Sequence, residues 1–183
     1  NVGGGERFLP ADVAAPDLTY RDHLDLDIGG VPIQLFHAQG ETDDHTWVWV
    51  PGRTALASGD FFCMTMPNCG NPNKVLRYPE EWADADEAMA ALGAEVLLPG
   101  HGDPIHGAEQ IRRGLLEQAE FLRSIVEQTL AGLNAGLRHD EIARSIRVPP
   151  HLEELDHLQP TYDRPEFIAR NVIRRYGGWF DGY

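Results

Sequence analysis

The sequence predicts an α/β fold with a helical appendage, and three observations carry that prediction. Short β-type runs rich in valine, leucine and tryptophan fill residues 23–58. A further apolar run, 95–98, is stopped by Pro99-Gly100. After Gly107 the pattern turns helical and stays so almost to the end. Strands first and helices afterwards, with a helix between the later strands, is an α/β arrangement with helices appended to it.

Taken in order, residues 1–16 are rich in glycine and proline and read as loop. His23-Leu24-Asp25-Leu26-Asp27-Ile28 alternates polar and apolar as a half-buried strand does, Gly29-Gly30 reads as a hairpin turn, and 31–36 is the returning strand. The polar loop Gln39-Gly40-Glu41-Thr42-Asp43-Asp44-His45 leads into a β-rich strand at 46–50 and a tight turn at Pro51-Gly52. Ala55-Leu56-Ala57-Ser58 reads as a small-residue strand buried on both faces and ending in Gly59-Asp60, followed by a loop over 61–78. Pro79-Glu80-Glu81 opens a helix, because proline suits the first turn and acids suit the positive helix end. Its apolar face is Trp82, Ala85, Met89 and Leu92, and Gly93 ends it.

The strand over 95–98 follows, and then a long helix over 108–135 with Ile111, Leu115, Leu122, Ile125, Val126, Leu130 and Leu133 on one recurring face. That stripe reads as core or as an interface between copies. A short helix over 139–146, a break at Pro149-Pro150, a helix over 165–176 and an aromatic, turn-rich close complete the chain. The expected division is 1–106 for the strand-rich domain and 107–183 for the helical one.

Composition narrows the function classes. With 183 residues the chain builds one ordinary core or a domain and a half. No apolar run approaches the ~20 residues a membrane span needs. Acidic residues outnumber basic ones 29 to 15, which argues against nucleic acid or an anionic membrane as partner. It also means that an anionic substrate has to be met by local cations, either metal or arginine. Cys63 and Cys69 are too few for a disulfide framework; they read as small buried or loop cysteines, with pairing or metal binding as the alternatives. The opening Asn1-Val2-Gly3-Gly4-Gly5, without initiator methionine or signal-like segment, reads as the middle of a longer chain. The compartment, cytoplasm or periplasm, stays open.

Three strand ends carry the chemistry: Glu41 and His45 after the second strand, Asp60 after the small-residue strand, and His101 within Pro99-Gly100-His101-Gly102. Open α/β sheets place their chemistry at carboxyl strand ends. Carboxylate and imidazole gathered from distant strand ends form the donor set of a hydrolytic zinc site. Each residue has a bland reading as well: Asp60 as a turn former, Glu41 as a solvated acid, and Gly-His-Gly as a surface turn.

The series Gly40-Glu41, Gly59-Asp60 and Pro99-Gly100-His101-Gly102 resembles the C-terminal half of the metallo-β-lactamase fold, an αββα sandwich, and within that superfamily the alkyl sulfatases. Further matches are Glu127-Gln128-Thr129-Leu130, Asn134-Ala135-Gly136, Glu141-Ile142-Ala143 and Pro149-Pro150. The close, Tyr176-Gly177-Gly178-Trp179-Phe180-Asp181-Gly182, resembles the end of the alkyl sulfatase dimerisation domain.

The resemblance implies two zinc ions in a complete site, with Glu41 on one, His101 on the other and Asp60 bridging them. It implies cleavage of a small-molecule sulfate ester, and a homodimer formed through the helical domain. This sequence departs from the family in four places. Asp60 stands where alkyl sulfatases usually have glutamate. His45 stands where they carry a second glutamate, so either Glu41 or His45 fills the ligand position. The loop 68–74 lacks the family's sulfate-holding arginine, leaving Asn71, Asn73 and Lys74 as stand-ins, with Tyr162 as a substrate-contacting or a packed tyrosine.

The fourth departure is the largest: the His-x-His-x-Asp-His motif of the fold's first half is absent. The ligand set is then completed by an N-terminal portion of the same enzyme, and without that portion the sheet has an unpaired edge and an uncovered apolar face. Two alternatives follow. One is a metallo-hydrolase of another ester, lactone, thioester or phosphate, favoured by Asp60; the other is a non-catalytic dimerisation or scaffold module, favoured by the absent motif.

Among the remaining residues, His37 reads as core or as a second layer behind a metal, and His106 as a surface loop histidine, with orienting the site beside His101 as the alternative. His139, His151 and His157 read as solvated, as does the helix face of Arg170, Arg174 and Arg175. Trp47 and Trp49 share a strand face and read as core.

Overall fold

A computed structural model describes residues 13–178. The first part of the predicted N-terminal loop and the aromatic close from Trp179 onward lie outside the described residues. The strands are β1 (His23–Ile28), β2 (Val31–His37), β3 (Thr46–Val50), β4 (Ala55–Cys63), β5 (Val96–His101) and β6 (Ile105–His106). The helices are α1 (Pro79–Ala90), α2 (Ala108–Asn134), α3 (His139–Ser145) and α4 (Pro165–Tyr176). The strands form one sheet in the order β1-β2-β3-β4-β5-β6, antiparallel throughout except for the parallel pair β4–β5.

Local chemistry explains the elements. Gly29 and Gly30 take φ of 63° and 83°, the left-handed pair a tight hairpin needs, and the Gly30 amide donates to Asp27 Oδ1 at 2.8 Å. Pro79 sits in the first turn of α1 with Glu80 and Glu81 beside it. In four places the structure departs from the sequence reading. Pro51–Arg53 is a 3₁₀ turn. β4 continues past Ser58 to Cys63, and its Ala55 and Ala57 are only half-buried while Leu56 and Ser58 are buried, so the strand is covered on one face. β5 runs through Pro99 to His101, and a register shift beside Gly59 accommodates the missing proline N–H. His106 lies in β6 rather than in a loop.

Side chains from α1 and α2 fill one face of the sheet. Trp82 and Met89 pack with Leu115 and Leu122 against Trp47, Trp49, Leu56 and Leu97, all in one core cluster. Helices α3 and α4 pack on α2. Arg175 is not solvated: it makes a bidentate contact with Glu81, which docks α4 onto α1, while Arg170 and Arg174 are exposed as expected. His157 is half-buried against Phe62, with Nε2 3.3 Å from Glu117, because the Asp156–Leu158 turn folds back on α2.

The opposite face of the sheet is different. Register places Leu24, Leu35, Val48, Ala57 and Leu98 in one row across five strands. None of these belongs to the core cluster, and Leu98 is 43% exposed.

One buried polar group joins α1 and α2. Gln118 Nε2 donates to Asp86 Oδ2 at 2.7 Å and to the Phe61 carbonyl at 2.6 Å, and Trp82 Nε1 donates to the same carbonyl at 2.8 Å. Asp86 is fully buried, and burial holds its carboxyl well above the usual carboxylate range, only partly offset by Gln118. The fold therefore keeps a proton that the unfolded chain releases above about pH 4, so this group's contribution to stability falls as pH rises through its raised pKa. Asp86→Asn, which stays neutral at every pH, is expected to keep stability near pH 4 within about 1 kcal/mol of the parent and to lose less of it than the parent as pH rises from there. Urea unfolding of both proteins over a pH series measures it.

Candidate metal centre

The parallel pairing of β4 and β5 sets two strand ends side by side, with Gly59 opposite Pro99 and Cys63 opposite His101. This brings Asp60 Oδ1 to 3.5 Å from His101 Nε2. The approach depends on glycine. A Cβ on Gly100 would stand 2.0 Å from Asp60 Oδ1 and 2.7 Å from the Gly59 carbonyl carbon. Gly59 itself has φ of 55°.

Glu41 comes in from the loop after β2. The buried Gly40 beside it is pressed against the Phe61 ring, which a Cβ would meet at 2.4 Å. The Glu41 carboxylate accepts from Arg77 at 2.6 Å, lies 3.5 Å from Asn68 Nδ2, and is within hydrogen-bonding range of the Asp60 carboxylate. Burial raises its pKa, the neighbouring Asp60 raises it further, and Arg77 opposes both. Two carboxylates held together in a half-buried cleft form a site that favours a cation.

Glu41, Asp60 and His101 line one cavity of about 310 Å³, together with Cys63, Thr65, Met66, Pro67, Asn68, Trp82, Gln118 and Tyr162. His101 stands open at 79% side-chain exposure. Cys63 Sγ lies 3.9 Å from Asp60 Oδ1, and burial, with Asp60, pushes its thiol up to about 11, so it is an inert thiol at neutral pH. Cys69 is buried, and both cysteines are free.

The other predicted site residues are placed differently. His45 is outside the cavity lining; its ring stacks on Phe61 at 4.2 Å and its buried Nδ1 has no partner. Burial lowers the His45 pKa, against the pull of Asp60 and Asp44. Asn71 accepts from the Asn73 amide at 3.0 Å in a local turn, and neither residue, nor Lys74, reaches the cavity lining. Tyr162 does reach it, at the rim and 68% exposed, where Thr161 and Thr65 join hydroxyls at 2.7 Å. His37 Nε2 lies 2.7 Å from the Asp43 carbonyl and braces the loop that carries Glu41.

Two residues are absent from the sequence reading: Asn68 and Arg77. Arg77 is only 5% exposed, and a lone arginine inside Val75-Leu76-Arg77-Tyr78 was the available signal, since a buried guanidinium needs a carboxylate partner.

Among the described residues, no three His, Cys, Asp or Glu side chains are gathered closely enough to hold a metal ion by themselves. What is present is two donor pairs sharing Asp60, one with His101 and one with Glu41. Carboxylate oxygen and imidazole nitrogen around a shared carboxylate fit a metal centre as part of its ligand set. The geometry gives a test of the glycine contact. Gly100→Ala is expected to cost about 1–3 kcal/mol, because both the Asp60 side chain and the backbone of β4 must move; thermal and urea unfolding measure it.

The metallo-beta-lactamase superfamily profile matches residues 3–101, and the alkyl sulfatase dimerisation profile matches 138–183. A linear primary-alkylsulfatase of Pseudomonas sp. is 30% identical over 92% of this chain and 32% of its own length. The chain thus spans about a third of the length of that relative. Among solved structures, the stereoselective inverting sec-alkylsulfatase Pisa1 from Pseudomonas sp. superposes with a TM-score of 0.84 at 23% identity, covering 92% of this chain and 28% of that one. A metallo-beta-lactamase family protein from Thermus thermophilus gives a TM-score of 0.57 at 20% identity, over 89% of this chain and 50% of that one. With its profile match over more than half of its residues, and with Asp60 and His101 at adjoining strand ends, the chain belongs to the metallo-beta-lactamase superfamily.

Proposed function

We propose that this chain forms the C-terminal part of a zinc-dependent hydrolase that cleaves alkyl sulfate esters. One observation carries the reading: Glu41 from the loop after β2, Asp60 from β4 and His101 from the end of β5 converge on one cavity. The cavity's chemistry supports it. Its lining presents two carboxylates and no lysine or arginine, while Arg77 is buried and engaged with Glu41. An anionic ester would be repelled there unless cations were bound.

Glu41, Asp60 and His101 would hold the metal, Asp60 being common to both donor pairs, and imidazole with carboxylate suits zinc. When bound, zinc supplies an activated water and neutralises charge on the ester oxygens. The residues of this chain have their own tasks. Arg77 and Asn68 hold the Glu41 carboxylate in one orientation. Met66, Pro67 and Trp82 give the cavity an apolar wall that fits an alkyl chain, and the exposed Tyr162 lines it as a candidate contact for a polar head.

The remaining ligands would come from an N-terminal portion of the enzyme that packs on the open row Leu24, Leu35, Val48, Ala57 and Leu98, consistent with the chain spanning a third of its alkylsulfatase relative. The dimerisation profile over 138–183 supports a homodimer through the helical part; the division into 1–106 and 107–183 is part of the same proposal and rests on the change of sequence pattern after Gly107. No helix among the described residues is long and apolar enough to cross a membrane.

The experiment is release of inorganic sulfate from a medium-chain alkyl sulfate by zinc-loaded protein, with the corresponding carboxylate ester as comparison. Sulfate release that falls by 100-fold or more, on the order expected for loss of a direct ligand, in both His101→Ala and Asp60→Asn supports the reading. Turnover of the carboxylate ester alone would move the substrate class to the non-sulfate esters, and full activity in both variants would remove these residues from the centre.

A further inference from the structure

We infer that Asp163 and Asn171, in the segment matched by the dimerisation profile, are positioning residues of the candidate centre. This rests on the reading of Glu41 as a metal ligand. The segment 68–77 carries both partners of Glu41, Asn68 and Arg77, and it has no regular structure of its own. It is gripped from the C-terminal side. Asn171 on α4 donates from Nδ2 to the Arg77 carbonyl at 2.7 Å and accepts from the Arg77 amide at 3.4 Å. Asp163 accepts from the Gly70 amide and, through its other oxygen, from the Arg164 amide at 2.8 Å.

Both side chains are buried, Asp163 at 2% and Asn171 at 5% exposure, so these bonds are not exchanged for water at little cost. At Gly70 the two backbones touch: a Cβ there would stand 2.1 Å from the Ile168 amide nitrogen. Upstream, the Gln159 carbonyl accepts from the Met66 amide at 3.1 Å and from Thr65 Oγ1 at 2.9 Å, so the same C-terminal stretch also holds the cavity wall.

The chain of contacts is short. Asn171 fixes the Arg77 backbone, the Arg77 side chain meets Glu41 and also donates to the Asn68 carbonyl, and Asn68 faces Glu41. A segment named for dimerisation thereby sets where a ligand of the centre stands.

The test uses the whole protein, with zinc as probe and a chelating dye as competitor. Asn171→Ala and Asp163→Ala are each expected to weaken zinc binding by about 10- to 100-fold, the usual effect of losing a group that orients a ligand. Arg77→Met should weaken it similarly, and Asn171→Ala should add little further on the Arg77→Met background, because it acts through that side chain. Hydrogen exchange should quicken at Gly70 and Arg77 while β4 and α2 keep their protection. Asn171→Asp, which keeps the acceptor and loses the donor, serves if Asn171→Ala does not fold.

A lowered melting temperature with unchanged zinc affinity would overturn the proposal, as would full additivity with Arg77→Met. A parent protein that binds no zinc at all would overturn the reading beneath it instead.

Discussion

The close contact of β4 with β5 is the constraint on which the site depends. Parallel neighbours end at the same edge of a sheet, so their final residues meet without any long connection having to position them. Here that edge carries Asp60 and His101, and the pair stands 3.5 Å apart because Gly100 has no side chain to hold β5 away from Gly59 and Asp60. Proline at 99 ends the regular ladder there without ending the strand. A site made this way is rigid where backbone meets backbone and open where His101 faces the cavity.

The helices after residue 107 supply order rather than donors. Helix α2 covers α1 and brings Gln118 to the Phe61 carbonyl, one residue beyond Asp60. Helix α4 is joined to α1 by Arg175 and to the segment 68–77 by Asn171. Charge follows the same logic. Arg77 is buried with Glu41, and Arg123 binds Asp84 and Glu87 across the α1–α2 seam. In a chain of formal net charge −14, these pairs relieve local repulsion at the joints between elements, and the cavity keeps its excess of carboxylate.

Much of the fold was legible because alternation and helical periodicity are direct images of one-sided burial. β1, β3 and α4 fall where the pattern places them, as do the Gly29-Gly30 turn and the start of α1. What escaped was set by tertiary contact. Nothing local says that a strand continues through Pro99, or that β6, two residues long, pairs back on β5. Small residues at 55–58 suggest double burial, yet a single covered face also tolerates them. In the site, Glu41, Asp60, His101 and Tyr162 were visible as polar residues at strand ends or in loops. Arg77 and Asn68 were not, since their part is defined only by a carboxylate 27 or more residues away. The expected stand-ins Asn71, Asn73 and Lys74 lie outside the cavity lining, and Asn71 instead accepts the Asn73 amide within a local turn.

The most direct test of the central claim is elemental metal analysis of the enzyme purified together with its N-terminal portion, parent beside Asp60→Ala. Because Asp60 belongs to both donor pairs, the account predicts bound zinc in the parent and its loss in the variant, with the fold retained by circular dichroism. Zinc held equally by both proteins would contradict it, since the metal would then lie away from the β4–β5 edge.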